Sequence, residues 1–175
     1  HPAQIYRTQA VLKDLEKKGY KVNVIAKDTA NWQPDEAQQK MDAWLNAYKG
    51  KFNLILANND AMALGAVESL ITAKYVDDPA NPTKDVDGDG TFLKVPVIGV
   101  DATQVALRSM SENKLYAIVL QDAAGQATTA FDLAYTMATK GAVNGATIND
   151  IKPLDSAIEE APANDPALVK QIYLV

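Results

Sequence analysis

Short apolar runs alternate along this chain with longer stretches in which apolar residues recur every three or four positions, a pattern of strands alternating with amphipathic helices. Residues 3–18 predict a helix with Ile5, Val11, Leu12 and Leu15 on one face and Gly19 as its stop. Residues 20–26 alternate as a strand, and Pro34 opens a second helix through Tyr48 that is apolar at Met41, Trp44, Leu45 and Tyr48. The run at 53–57 predicts a strand buried on both faces, followed by a helix over 60–73 packed through Met62, Ala66, Val67, Leu70 and Ile71. After a polar loop at about 75–94 come a strand (96–100), a helix (102–112), a strand (115–120) and a helix (123–139). The Pro-, Asn- and Asp-rich remainder is read as irregular until a last strand near 170–175. Strands joined by helices require right-handed crossovers, so the fold class is α/β with a doubly wound, mainly parallel sheet.

Composition narrows the choices. The 175 residues suffice for one sizeable core, or for one domain and part of another. With 22 acidic and 17 basic residues the net charge is −5, which speaks against nucleic acid or an anionic membrane surface as the main partner. Cysteine is absent, so neither a disulfide framework nor a thiol nucleophile belongs to these residues. No run reaches the ~20 apolar residues that span a bilayer. The chain opens on His1-Pro2 without a signal segment and closes on the apolar run Ile172 to Val175, whose bare strand would make a sticky edge. These ends are those expected of an internal piece of a longer protein.

Candidate chemistry gathers where strands give way to helices, the edge at which an open α/β sheet binds ligands. Asn58-Asn59-Asp60 follows the strand ending at Ala57, Asp101 follows Pro96 to Val100, and Gln121-Asp122 follows Tyr116 to Leu120. Trp32 lies in the loop Thr29 to Trp32 after the strand ending near Ala26. Carboxylates and amides can make paired hydrogen bonds to adjacent hydroxyls, and an indole face can cover the apolar C–H patch of a pyranose. The same residues also admit plainer roles. Asn59 and Asp101 suit helix capping, and Trp32 suits simple packing.

Beyond these patterns the chain resembles bacterial galactose/glucose-binding proteins, the sugar receptors of ABC importers and chemotaxis. The likeness runs through His1-Pro2 with Arg7-Thr8, Asp28 to Trp32, Lys40 to Leu45, Ala57 to Ala66, Pro96 to Ala102, and Val119 to Ala123 with Gln126. It implies that His1, Arg7, Asn59, Asp101 and Gln121 hydrogen-bond a sugar while Trp32 stacks on one face. It further implies a periplasmic-binding-protein-like lobe over 1–118, a hinge strand end at 119–122, and a segment over 123–175 belonging largely to the N-terminal lobe and a return strand. That segment carries Ala127, Ala130, Phe131, Ala134 and Met137, a face expected to dock on the missing lobe, on a second copy, or back on its own lobe. Two departures bear on sugar identity. Ala3 stands where the family usually has aspartate, and Gln121 where it usually has asparagine.

The implied function is non-enzymatic binding of a glucose- or galactose-like hexose outside the cytoplasm, in the periplasm or lipid-anchored at the cell surface. Its partners would be the ABC importer's membrane subunits and a chemoreceptor. The alternative is the sugar-sensing core of a lac-repressor-type regulator, which shares this core. An enzyme is disfavoured, because no G-x-G-x-x-G after a first strand, P-loop or G-x-S-x-G is present. A last signal is Asp85 to Phe92, where Asp85, Asp87 and Asp89 alternate around Gly88 and Gly90 like the start of a Ca²⁺ loop. Pro96 stands where such a loop needs its bidentate glutamate, so the reading is a solvated acidic turn with at most weak Ca²⁺ affinity, and no cofactor is required.

Overall fold

A computed structural model describes residues 2–140 and 172–174. The elements run α1 (Pro2–Lys17), β1 (Val24–Lys27), α2 (Pro34–Tyr48), β2 (Ile55–Leu56), α3 (Asp60–Thr72), β3 (Val97–Asp101), α4 (Gln104–Ser111), β4 (Ala117–Leu120), α5 (Ala123–Lys140) and β5 (Ile172–Leu174). Five parallel strands form one sheet in the order β1-β5-β2-β3-β4. Residues up to Gln121 together with β5 make one compact unit, and α5 belongs to a second.

The expected alternation is realised, and its boundaries move for local reasons. α1 ends in a Schellman turn, with Gly19 at φ +84° and the Tyr20 N–H bonded to the Leu15 carbonyl at 3.0 Å. That turn takes Tyr20, the first residue expected in the next strand, and β1 starts at Val24. α4 is likewise shorter than expected. Asp101 and Ala102 take positive φ, and Thr103 then caps the helix by accepting from the Ala106 N–H.

Two expectations are overturned. β5 does not lie at an edge. It is parallel to and paired with both β1 and β2, with Ile172 opposite Val24 and Tyr173 opposite Ile55, so its backbone donors and acceptors face strands on both sides. The segment 75–94 is not simply a polar loop either. Tyr75, Val76, Phe92, Leu93 and Val95 are buried, Val76 bridges Leu93 antiparallel, and the Phe52 and Tyr75 rings lie 5.5 Å apart. Between these apolar ends, Pro79 to Gly90 is mostly exposed.

The core sits between α2, α3 and the sheet, with Met41, Ile55, Val67, Leu70 and Val97 at its centre. α1 contributes less than its pattern suggests. Ile5 and Val11 are exposed and Leu12 and Leu15 half-buried, while Thr8 is its buried residue. On α5, Phe131, Tyr135 and Met137 are exposed, with the Phe131 and Tyr135 rings stacked at 6.2 Å.

One contact limits how the helical layer assembles. A Cβ on Gly65 would lie 2.0 Å from the Pro34 carbonyl oxygen, so α3 meets the start of α2 backbone to backbone. Gly65→Ala should therefore destabilise the fold by about 1–3 kcal/mol or more, since backbone rather than a flexible side chain must move. Urea denaturation checks this, and an unchanged midpoint would contradict it.

Candidate functional site

Because all the strands are parallel, their carboxyl ends emerge along one side of the sheet. The loop after β1 carries Trp32, the turn after β2 carries Asn58 and Asn59, β3 ends on Asp101, and Gln121 follows β4.

Arg7 on α1 gathers three of these ends. One guanidinium nitrogen donates to the Asn58 carbonyl at 2.5 Å and lies 3.6 Å from the Asp101 carboxylate, and the other donates to the Gln121 side-chain carbonyl. A planar fork can make such divergent bonds where a single ammonium point could not. Asn58, which the sequence reading placed in the strand-end cluster but not among the sugar ligands, is buried. Its side-chain amide donates to the Thr8 hydroxyl at 3.0 Å and it lines a pocket of about 110 Å³ with Trp32, Asn31, Asp28 and Gln4. The pocket thus adjoins the Arg7 cluster through one residue.

Trp32 is held on a taut loop. Asn31 and Trp32 both take left-handed backbone, at φ 47° and 66°, a conformation that costs a non-glycine residue about 1 kcal/mol or more. Surrounding bonds hold it there. The Asn31 amide donates to Glu36 at 2.8 Å, the Gln33 N–H to the Ala30 carbonyl at 2.7 Å, and Lys40 pairs with Asp28 at 2.7 Å. The Lys40 hydrogen bond, followed by that of the Thr29 N–H, lowers the Asp28 pKa, so this link persists into mild acid.

Asn59 performs the capping role that its position also allowed. Its side-chain oxygen accepts from the Met62 N–H at 2.9 Å, and its amide donates to the Trp32 carbonyl at 3.3 Å. It thereby fastens the tryptophan loop to the start of α3, with one amide hydrogen and one lone pair left for a ligand. Asp122 is a cap as well, accepting from the Gly125 N–H at 2.9 Å. Of the remaining sequence candidates, His1 lies outside the described residues.

Asp101 is the charged acceptor of the cluster, with about a third of its side chain exposed. Partial burial raises its pKa above the ordinary aspartate value, and the negative charge of Asp60 adds to that; the Arg7 charge and the Asp60 N–H pull the other way without cancelling the rise. At the acidic loop, Asp77, Asp85 and Asp87 bring carboxylate oxygens within 4.8 Å of one another, so Asp77 is a member the local pattern did not reveal. Asp89 turns instead to the Thr91 N–H at 2.9 Å, and burial first, then the neighbouring carboxylates, raise its pKa. Asp85 accepts from the N–H groups of Gly88 and Gly90, so turn bonds already engage it.

The carboxyl edge of an open parallel sheet thus gathers amides, a carboxylate, an arginine and an aromatic. The chain belongs to the periplasmic binding protein domain family, which it matches over residues 1–142. It is 34% identical over 147 residues to the D-galactose/methyl-galactoside binding periplasmic protein MglB of Haemophilus influenzae, a match covering 83% of this chain and 39% of that protein. It is 33% identical over 123 residues to a putative rhizopine-binding protein of Rhizobium meliloti, covering 70% of this chain and 34% of that one. Among solved structures it is similar to an ABC transporter solute binding protein from Bacillus halodurans with bound myo-inositol, at a TM-score of 0.62 and 28% identity, covering 100% of this chain and 45% of that one. The chain thus spans roughly four-tenths of the length of such relatives.

The raised pKa of Asp101 has a consequence for stability. Folding favours its protonated form, so the stabilisation is fully present below the unfolded-state pKa and is lost as pH rises through the folded one. At pH 7 the ionised group weakens the fold, and Asp101→Asn should melt at the wild-type temperature or above. The gain should shrink as the pH is lowered through the aspartate range. Thermal melts across that range check this, and a lower melting temperature at pH 7 would contradict it.

Proposed function

We propose that this chain is a ligand-binding lobe of an extracytoplasmic, non-enzymatic receptor that delivers a monosaccharide or cyclic polyol to an ABC importer. The observation that carries the reading is Arg7 joined to Asp101, Gln121 and the Asn58 carbonyl beside the pocket lined by Trp32. A charged acceptor, amide groups and a charged donor within one small region match vicinal hydroxyls, and the indole offers a face for ring C–H groups. Relatives named for galactose, rhizopine, xylitol and fructose, and a neighbour holding myo-inositol, support polyhydroxylated ligands as the class. Within that class the finer reading is a glucose- or galactose-like hexose, with a chemoreceptor as a second partner and the exposed face of α5 covered by the remainder of the protein. No helix among the described residues is long and apolar enough to cross a membrane, so the importer's own subunits would supply the membrane path.

Calorimetric titration of the protein expressed from its full coding sequence with D-galactose, D-glucose, xylitol and myo-inositol tests the reading. One of them should bind and change the tryptophan fluorescence. Trp32→Ala should abolish that change, although Trp44 remains. Asp101→Ala should weaken binding by ~2 kcal/mol or more, because a charged hydrogen bond is lost. No binding to any of the four, or wild-type affinity in both variants, would overturn it.

The acidic loop is assigned at most a weak Ca²⁺ affinity, since its carboxylates accept from the loop's own N–H groups and no bidentate glutamate completes the set. Titration with micromolar Ca²⁺ should give no heat. A tight site lost on Asp87→Ala would refute this.

A further inference from the structure

Asp60 opens α3, yet its side chain does not cap that helix. The carboxylate is buried, at 1% exposure, and one of its oxygens accepts both from the Thr103 N–H at 2.7 Å and from the Thr103 hydroxyl at 3.0 Å. Its other oxygen has no hydrogen-bond partner among the described residues. A buried carboxylate is costly unless it is paired and hydrogen-bonded, so its persistence at this point calls for a role. The site has room made for it. A Cβ on Gly99 would come within 2.6 Å of the unpartnered oxygen, so the glycine of β3 leaves space for the carboxylate.

The bond to Thr103 spans a strained turn. Asp101 has φ 127° and Ala102 φ 63°, two successive non-glycine residues in positive-φ backbone. Such a conformation persists only where its surroundings hold it. On one side the Gln121 N–H donates to the Asp101 carbonyl at 3.3 Å, and on the other Thr103 is fixed between Asp60 and the first turn of α4. Asp60 therefore holds the far end of the turn that displays Asp101.

We infer that Asp60 is a positioning residue for ligand binding: its buried carboxylate, seated over Gly99, clamps Thr103 and so holds the strained Asp101-Ala102 turn in the conformation that presents Asp101 to the ligand. This rests on the sugar-receptor reading for its functional meaning, while the clamp itself is a property of the fold.

The test uses Asp60→Ala, Asp60→Asn and Thr103→Val, with Ser69→Ala as control. Ser69 is buried in the same helix and bonds Asp42, away from the turn. Amide hydrogen exchange in the unliganded protein reads the clamp directly. Protection of the residue-103 N–H should fall about tenfold or more in Asp60→Ala, less in Asp60→Asn, whose amide oxygen still accepts, and less in Thr103→Val, which keeps its N–H bond to Asp60, and not in Ser69→Ala. Titration with whichever of D-galactose, D-glucose, xylitol and myo-inositol the wild type binds should show affinity losses in the same order. Adding Thr103→Val to Asp101→Ala should then cost almost nothing further, because the clamp acts through Asp101. Unchanged protection in Asp60→Ala would overturn the clamp, and fully additive losses would overturn its action through Asp101. If the wild type binds none of the four, the receptor reading fails while exchange still decides the clamp.

Discussion

The arrangement of the carboxyl edge depends on the contact between Gly65 and the Pro34 carbonyl. Without a side chain at Gly65, α3 reaches the first turn of α2 at backbone distance, and the loop that precedes Pro34 is the one bearing Trp32. The amide of Asn59, from the cap of α3, then ties that loop down through the Trp32 carbonyl. A side chain at residue 65 would separate the two helices, and separation would carry the indole away from the strand ends that share the pocket. Burial of Ala37, Met41, Ala63 and Val67 in this helix pair provides the apolar gain that holds the close approach together.

Electrostatics at the edge follow from partial burial. Arg7 is the positive group joined to Asp101, and its pull on that carboxylate is outweighed by desolvation and by the neighbouring Asp60. The ionised form of Asp101 is therefore disfavoured relative to an open aspartate, although the Arg7 guanidinium lies 3.6 Å away.

Departures from the sequence reading have separate physical causes. The Schellman turn at Gly19 takes Tyr20, which alternates well enough to read as strand, and β1 begins at Val24 where its ladder with β5 starts. The ends of the 75–94 segment are buried because Val76 meets Leu93 across the acidic tip, a pairing between positions far apart in the chain. Asp77 joins Asp85 and Asp87 for the same reason. Asn58 was named beside Asn59 but given no role of its own, since two adjacent asparagines are equivalent in a pattern until the fold points one at Thr8 and the other at the helix cap.

From the sequence alone came the strand–helix alternation, the parallel sheet, and Trp32, Asn59, Asp101 and Gln121 at strand ends, because hydrophobic period and cap chemistry are local properties. Arg7 came from family likeness, since nothing in a helical pattern tells which distant groups a guanidinium will meet. Tertiary structure alone decided that Arg7 bonds Gln121, 114 positions away, that β5 lies inside the sheet, and that the Asp60 carboxylate reaches Thr103 across the space left by Gly99. Those outcomes depend on strand order and on close approach of backbones, which are set by how whole elements pack and leave no mark in neighbouring residues.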